Sequence, residues 1–311
     1  MVAGGCGFAL SVLALAAAPR FAVLVAALAL LYPSSGAFVS LSQATLMDLG
    51  PGEHERNMAR WTLARSLGVV GGPVLLALAL VVGLGWRDAF VAVFAVAVIT
   101  VASARRVPFD SHDAHTRIGD SVRAALRALG RRDVLRWLVV LELTDLLLDV
   151  LHGFLALYFV DVAGVSPQRA ALAVVVWTGA GLVGDALLLP MLRALDGLSY
   201  LRASAAVVAV AYPAFLLAPL PAKLPLLALL GLLNAGWYAI PKARLFSALP
   251  GQSAAAAMTI GTLTSLVGGA IPLGMGLAAQ SLGLAPVMWV SLAAPLGLLV
   301  LLPRDRATLA S

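Results

Sequence analysis

The chain has 311 residues, of which 61% are hydrophobic and only 12% charged, against the roughly 25% charged residues of an ordinary soluble domain. Such a chain cannot cover its surface with polar groups, which excludes a water-soluble enzyme or binding module. The net charge of +6 could point to nucleic acid, but the basic residues are sorted by loop rather than massed in one patch. The single cysteine, Cys6, excludes an internal disulfide and a cysteine-rich metal site.

Apolar runs near the ~20 residues needed to cross a hydrocarbon core recur from end to end. They predict ten spans, near 2–18, 21–47, 60–83, 88–104, 135–160, 168–192, 200–217, 223–241, 254–280 and 285–302. The fold class is therefore an all-α polytopic membrane protein. Met1 enters its first span with no basic lead and no clean cleavage site, so a secretory signal is not expected. With the N-terminus assigned to the cytoplasm, seventeen Lys and Arg fall on the cytoplasmic side, eight of them between Arg105 and Arg136. Only Arg20, Arg87, Arg169 and Lys223 fall opposite. This positive-inside asymmetry places both termini in the cytoplasm, and the basic balance reflects insertion and contact with anionic lipid rather than nucleic acid.

The second span, 21–47, carries a polar stripe around Pro33 that includes Tyr32, Ser35 and Gln43, candidates for lining a cavity. In the third, Gly68 and Gly72 mark a close-packing face that Pro73 bends, because small residues let helix backbones approach where lipid offers no hydrophobic drive. Arg65, about one turn inside that span, is read as snorkelling to the interface. Residues 105–134 form a basic connector whose Ser121–Leu129 stretch reads as an amphipathic surface helix. Its Asp110, His112, Asp113 and His115 lack the cysteines or second ligand cluster that a metal site would need. The connector leaves a four-span bundle at 1–104 and a six-span bundle at 135–311.

The fifth span contains "ELTDLLLDVLHG". At the 3.6 residues per turn of an α-helix, Glu142, Asp145, Asp149 and His152 fall within a sector about 80° wide. Ionised carboxylates facing lipid would cost roughly 2.5–3.5 kcal/mol each, so the stripe is expected to face the bundle interior or a wet cavity. Groups this close titrate as a coupled set. Three roles are open to them: hydrogen bonding to neighbouring helices, a proton relay or cationic-substrate site, or a metal-dependent membrane enzyme using Asp145, Asp149 and His152. Asp185 in the next span is a candidate second coupling carboxylate. Asn234, Trp237 and Tyr238 are candidate cavity residues on the span 223–241. No phosphate-cradling loop with its lysine is present, so ATP-driven pumping by this chain alone is not expected.

Several segments in order resemble the major facilitator superfamily. "SLGVVGGP", Ser66–Pro73, keeps the GxxxGP core of the family's fifth helix, without the flanking glycines of the longer antiporter form. "GWRDAF", Gly85–Phe90, is similar to the turn before the sixth helix, and Ala248–Gly283 to the eleventh helix and its entry. Pro190–Ala203 stands where the family has a basic loop between helices eight and nine. There Gly197, Arg193 and Arg202 survive, but the pattern's Asp-Arg pair does not. The resemblance runs from the family's third helix onward, a 4+6 arrangement without the first two of twelve.

The resemblance implies a secondary active transporter working by alternating access. The partial GxxxGP signature favours proton-coupled efflux of a small organic molecule by antiport, in a bacterial inner membrane. Expected partners are a small-molecule substrate, protons as coupling ion and the lipid bilayer. The expected state is monomeric, without cofactor, metal or enzymatic activity. A ten-span exporter of the drug/metabolite type is the competing architecture, but it would place its boundary after the fifth span rather than the fourth.

Overall fold

The computed structural model describes residues 2–48, 50, 52–105, 127–249 and 269–303. Most of the expected connector helix, its His and Asp residues, and much of the span at 254–280 lie outside them. Among the described residues every regular element is helical.

Four helices precede the connector: α1 Val2–Ala17, α2 Phe21–Asp48, α3 His54–Val81 and α4 Trp86–Ala104. After it, α5 runs as Arg132–Asp145, a π-helical turn Leu146–Val150, Leu151–Leu157 and a second π-helical turn Tyr158–Val162. There follow α6 Pro167–Met191, α7 Gly197–Leu217, α8 Leu220–Leu233 and α9 Ala239–Ser247. A helix over 269–282, α10, precedes α11, which runs from Leu284–Met288 through Trp289–Leu292 to Ala293–Leu301. Six helices among the described residues are long and apolar enough to cross a membrane, and shorter apolar helices accompany them. With α8 and α9 sharing one crossing, this is a polytopic all-α protein of about ten transmembrane segments, four before the connector and six after.

The chain divides into two compact units. One contains the described residues of Met1–Leu49 and Gly68–Ala128. In it α1 packs against α2 and α4, burying Ala9, Val12 and Leu15. The entry to α4 is fixed locally, because the Gly85 N–H donates to the Asp88 carboxylate at 2.8 Å and Arg87 donates to the Ala18 carbonyl at 3.0 Å.

The other unit contains the described residues of Gly50–Leu67, Leu129–Pro250 and Thr262–Ser311, and so includes the first half of α3. Its core is aromatic: Tyr158, Phe159, Tyr212, Phe215 and Trp237 are all buried, and the Tyr158 and Phe215 rings lie 5.6 Å apart. At one edge of that core the ammonium of Lys223, only 6% exposed, donates to the Tyr158 hydroxyl and the Phe215 carbonyl, each at 2.8 Å, and to the Leu216 carbonyl at 3.0 Å. A lysine has three N–H donors, and all are used. Lys223 thereby caps the end of α7, whose last carbonyls have no intrahelical partner. Lys223→Met keeps the stem and removes the cap, and is expected to destabilise the protein by about 1–3 kcal/mol. A melting curve in detergent that matches wild type would refute this.

The start of α3 is tied to the same unit through charge. Arg244 Nε donates to Glu55 Oε1 at 2.7 Å, its Nη2 lies 3.5 Å from Asp196 Oδ1, and His54 Nδ1 is 2.8 Å from Ser247 Oγ. Asp196 also accepts from the Ser199 N–H, capping α7. The loop between α6 and α7 thus retains an acid with a basic partner, although that partner comes from α9 instead of from the loop itself.

Candidate functional site

The acidic stripe lies on α5, but not with the uniform advance of an α-helix. The five residues Leu146–Val150 form a π turn in which the Leu151 N–H bonds back to the Leu146 carbonyl. A π turn holds an extra residue, so each of its positions advances less than the 100° of an α-helix. Asp149 sits inside that turn and is displaced from the sector expected of it. Its side chain is 61% exposed, whereas Glu142, Asp145 and His152 are half-buried. Leu146, Leu147 and Val150 anchor the turn in the core.

The displaced carboxylate meets Arg65. Arg65 Nη2 lies 3.3 Å from Asp149 Oδ1, with the arginine side chain 43% exposed. Arg65, expected from its place near the span end to snorkel, thus also has an acid on α5 within reach. The next residue does the same for another helix: Ser66 Oγ donates to Asp185 Oδ2 at 2.6 Å, and Asp185 is only 7% exposed. Two consecutive side chains of α3 thus hold one carboxylate on α5 and one on α6. From the sequence Arg65 is read as an interfacial anchor and Ser66 only as the first residue of the SLGVVGGP segment. A basic residue inside an apolar span, opposite acids in another, was the available signal.

Glu142 keeps one carboxylate oxygen, Oε2, buried without a hydrogen-bond partner among the described residues. Among those residues no group of three or more His, Cys, Asp or Glu side chains could hold a metal ion. Asp145, Asp149 and His152 are thus not brought together as the ligand set of the metal-enzyme alternative.

The expected span 223–241 is interrupted. α8 ends at Leu233, Gly236 takes φ 79°, a conformation that suits glycine, and the helix resumes at Ala239. Trp237 is fully buried, and its indole N–H donates to Ser204 Oγ at 3.0 Å, which fixes it in the core. The Tyr238 ring lies 6.0 Å from Trp61, and Lys242 Nζ stands 5.9 Å from the Tyr238 ring centre. Asn234 is buried. In the first unit Tyr32 is exposed, Ser35 half-buried and Gln43 buried.

Gly68, Gly72 and Pro73 are exposed, and a Cβ built on either glycine meets no heavy atom within 4 Å among the described residues. Among the described residues, close backbone approach at glycine occurs between α6 and α8. There a Cβ on Gly184 would lie 2.7 Å from the Leu232 carbonyl oxygen, and one on Gly231 would lie 2.9 Å from that of Trp177.

The arrangement joins a titratable carboxylate to a cation and a second, buried carboxylate to a hydroxyl, within helices that cross a membrane. The sequence matches the Major Facilitator Superfamily over residues 1–272. No curated protein matches the chain. Among solved structures, a variant of the E. coli fucose:proton symporter FucP superimposes with a TM-score of 0.75 at 14% identity, covering 96% of this chain and 82% of that one. A second FucP structure, a Major Facilitator Superfamily transporter in the outward conformation, gives a TM-score of 0.75 at 15% identity, covering 96% and 81%.

Proposed function

The chain belongs to the Major Facilitator Superfamily, and from that premise we propose that it is a proton-coupled antiporter exporting a small organic molecule from a bacterial cell. It is a multi-pass membrane transporter rather than an enzyme. In this reading it lies in the inner membrane as a monomer with both termini cytoplasmic, and bundles 1–104 and 135–311 alternate around the cargo.

The observation that carries proton coupling is the pair of ties from Arg65 and Ser66 to Asp149 and Asp185. Arg65 and a carboxylate at Asp149 attract one another across the 3.3 Å contact. A proton on Asp149 cancels that attraction and frees Arg65, so protonation and the conformation of α3 against α5 are thermodynamically linked. The half-exposed setting of the pair makes it weak, as a tie that must break in every cycle has to be. Asp145 and Glu142 precede Asp149 on α5, and His152 follows it by about one turn. The name of FucP as a proton symporter supports protons as the coupling ion. It favours the opposite direction of cargo movement, and symport is the second reading.

Everted membrane vesicles separate the two. With an imposed gradient that is acid inside, antiport drives cargo into the vesicle and releases protons, reversing the quenching of a ΔpH-sensitive dye. Symport under the same gradient drives cargo outward. Uphill cargo movement with no proton gradient and no dye response would overturn both.

A further inference from the structure

The helix that ends at Leu233 has run 14 residues, or about 21 Å at 1.5 Å per residue. Its interruption therefore lies at membrane depth in a hydrocarbon core ~30 Å thick. Irregular backbone at that depth is tolerated only when buried in protein or lining an aqueous space. Here it is buried: Asn234, Ala235 and Trp237 are 5%, 3% and 0% exposed.

The backbone of the break is well provided for. The Asn234 N–H donates to the Leu230 carbonyl at 3.0 Å, Ala235 to Leu232 at 3.3 Å, Trp237 to Asn234 at 3.1 Å and Ile240 to Gly236 at 3.0 Å. The Asn234 side chain takes no part in this. Both its Nδ2 and its Oδ1 are buried without a partner among the described residues. Leaving a buried polar group unpaired costs about 1–3 kcal/mol, and an apolar side chain of the same branching, such as leucine, would avoid it. Gly236, with its positive φ, already supplies the turn. The amide is thus costly and is not needed to stop the helix.

Its surroundings define what would satisfy it. Gly184 and Leu188 of α6 and Ile240 of α9 press on the break with apolar atoms or backbone. The nearby polar groups are engaged: Trp237 donates to Ser204, Ser204 donates to the Leu201 carbonyl at 3.0 Å, and Asp185, next to Gly184, accepts from Ser66. A charged ligand group placed against a lone amide would remain uncompensated, at a cost far above what one hydrogen bond returns. A primary amide offers one acceptor and two N–H donors. Its complement is an uncharged group that both donates and accepts.

We propose that Asn234 is a cargo-recognition residue, reading an uncharged hydroxyl or carboxamide group of the transported molecule at the break between α8 and α9. The assignment rests on the transporter reading and adds a substrate class to it. In the conformation described the amide is buried and has no hydrogen-bond partner among the described residues. Its unpaired groups raise the energy of this state relative to one in which cargo occupies the break, so bound cargo favours opening there.

Two measurements on the purified full chain test the assignment. Without ligand, Asn234→Leu is expected to raise the melting temperature in detergent, because it removes the unpaired amide; a fall shows that Asn234 supports the fold and overturns the proposal. With ligand, N-acetyl-D-glucosamine and mannitol serve as neutral probes, and glucuronate and tetraphenylphosphonium as charged ones. A neutral probe is expected to stabilise wild type, with affinity falling ~10-fold or more when the amide is lost, equivalent to about 1.4 kcal/mol. Stabilisation by charged probes alone, by no neutral probe, or equally in the variant overturns it. Asn234→Ala repeats the binding measurement in a second variant, with the same outcomes expected and overturning. Proton-coupled dye responses that persist through any of these failures would leave the transporter reading intact.

Discussion

Asp149→Asn is expected to abolish the cargo-induced proton signal in energised vesicles while leaving membrane insertion, yield and melting temperature close to wild type. The asparagine keeps the shape of the side chain and can still accept a hydrogen bond from Arg65, which lies 3.3 Å from the carboxylate. It cannot take up a proton. With the Arg65 and Asp149 side chains 43% and 61% exposed, the ion pair itself contributes little to stability, within about 1 kcal/mol. Loss of transport without loss of stability is the signature of a coupling group, and a residue that merely packed would not give it. Asp145→Asn is expected to behave alike, since Asp145 precedes the same π turn. Arg65→Gln should leave Asp149 protonatable but without its countercharge, giving cargo movement that no longer tracks the proton gradient. Full transport by Asp149→Asn in reconstituted vesicles would remove Asp149 from the mechanism.

The contrast between Asp149 and its partner shows what a single sequence can reveal about such a site. Spans 21–47, 88–104 and 200–217 were legible because continuous apolar runs end at glycine, proline or charge, and the helices Phe21–Asp48, Trp86–Ala104 and Gly197–Leu217 follow them closely. The acids of α5 were legible for the same reason, since charge inside such a run is costly. Their arrangement was not. "LLLDV" holds nothing that distinguishes a π turn from an α turn, because the choice depends on how Leu146, Leu147 and Val150 seat in the core. Arg65 looked like an interfacial anchor, because its reach to Asp149 depends on how α3 lies against α5. The break at Asn234–Tyr238 had a local signal in Gly236, but glycine is common in membrane helices, and only its positive φ separates a hinge from a packing site.

Gly184→Val is the substitution expected to damage the fold most, and Gly68→Val its informative counterpart. The sequence pattern points to Gly68 and Gly72 as the tight contacts, and a Cβ added at either meets nothing within 4 Å among the described residues. At Gly184 the first added carbon already lies 2.7 Å from the Leu232 carbonyl oxygen, 3.1 Å from Ala235 Cβ and 3.2 Å from Leu232 Cα. Two of these are backbone atoms, so no rotamer change relieves the clash and α6 must move away from α8. Overpacking of this kind costs about 1–3 kcal/mol, and the lost contact is among the few forces that hold helices together in lipid. A clear fall in the melting temperature is expected for Gly184→Val and almost none for Gly68→Val; equal effects would refute the assignment of the close approach to α6 and α8. The same displacement would carry Asp185, the next residue, away from Ser66, and would loosen the turn that begins one residue after Leu233. Gly184→Val should therefore lose stability and transport together, whereas Asp149→Asn loses transport alone, and that difference separates the scaffold of the site from its chemistry.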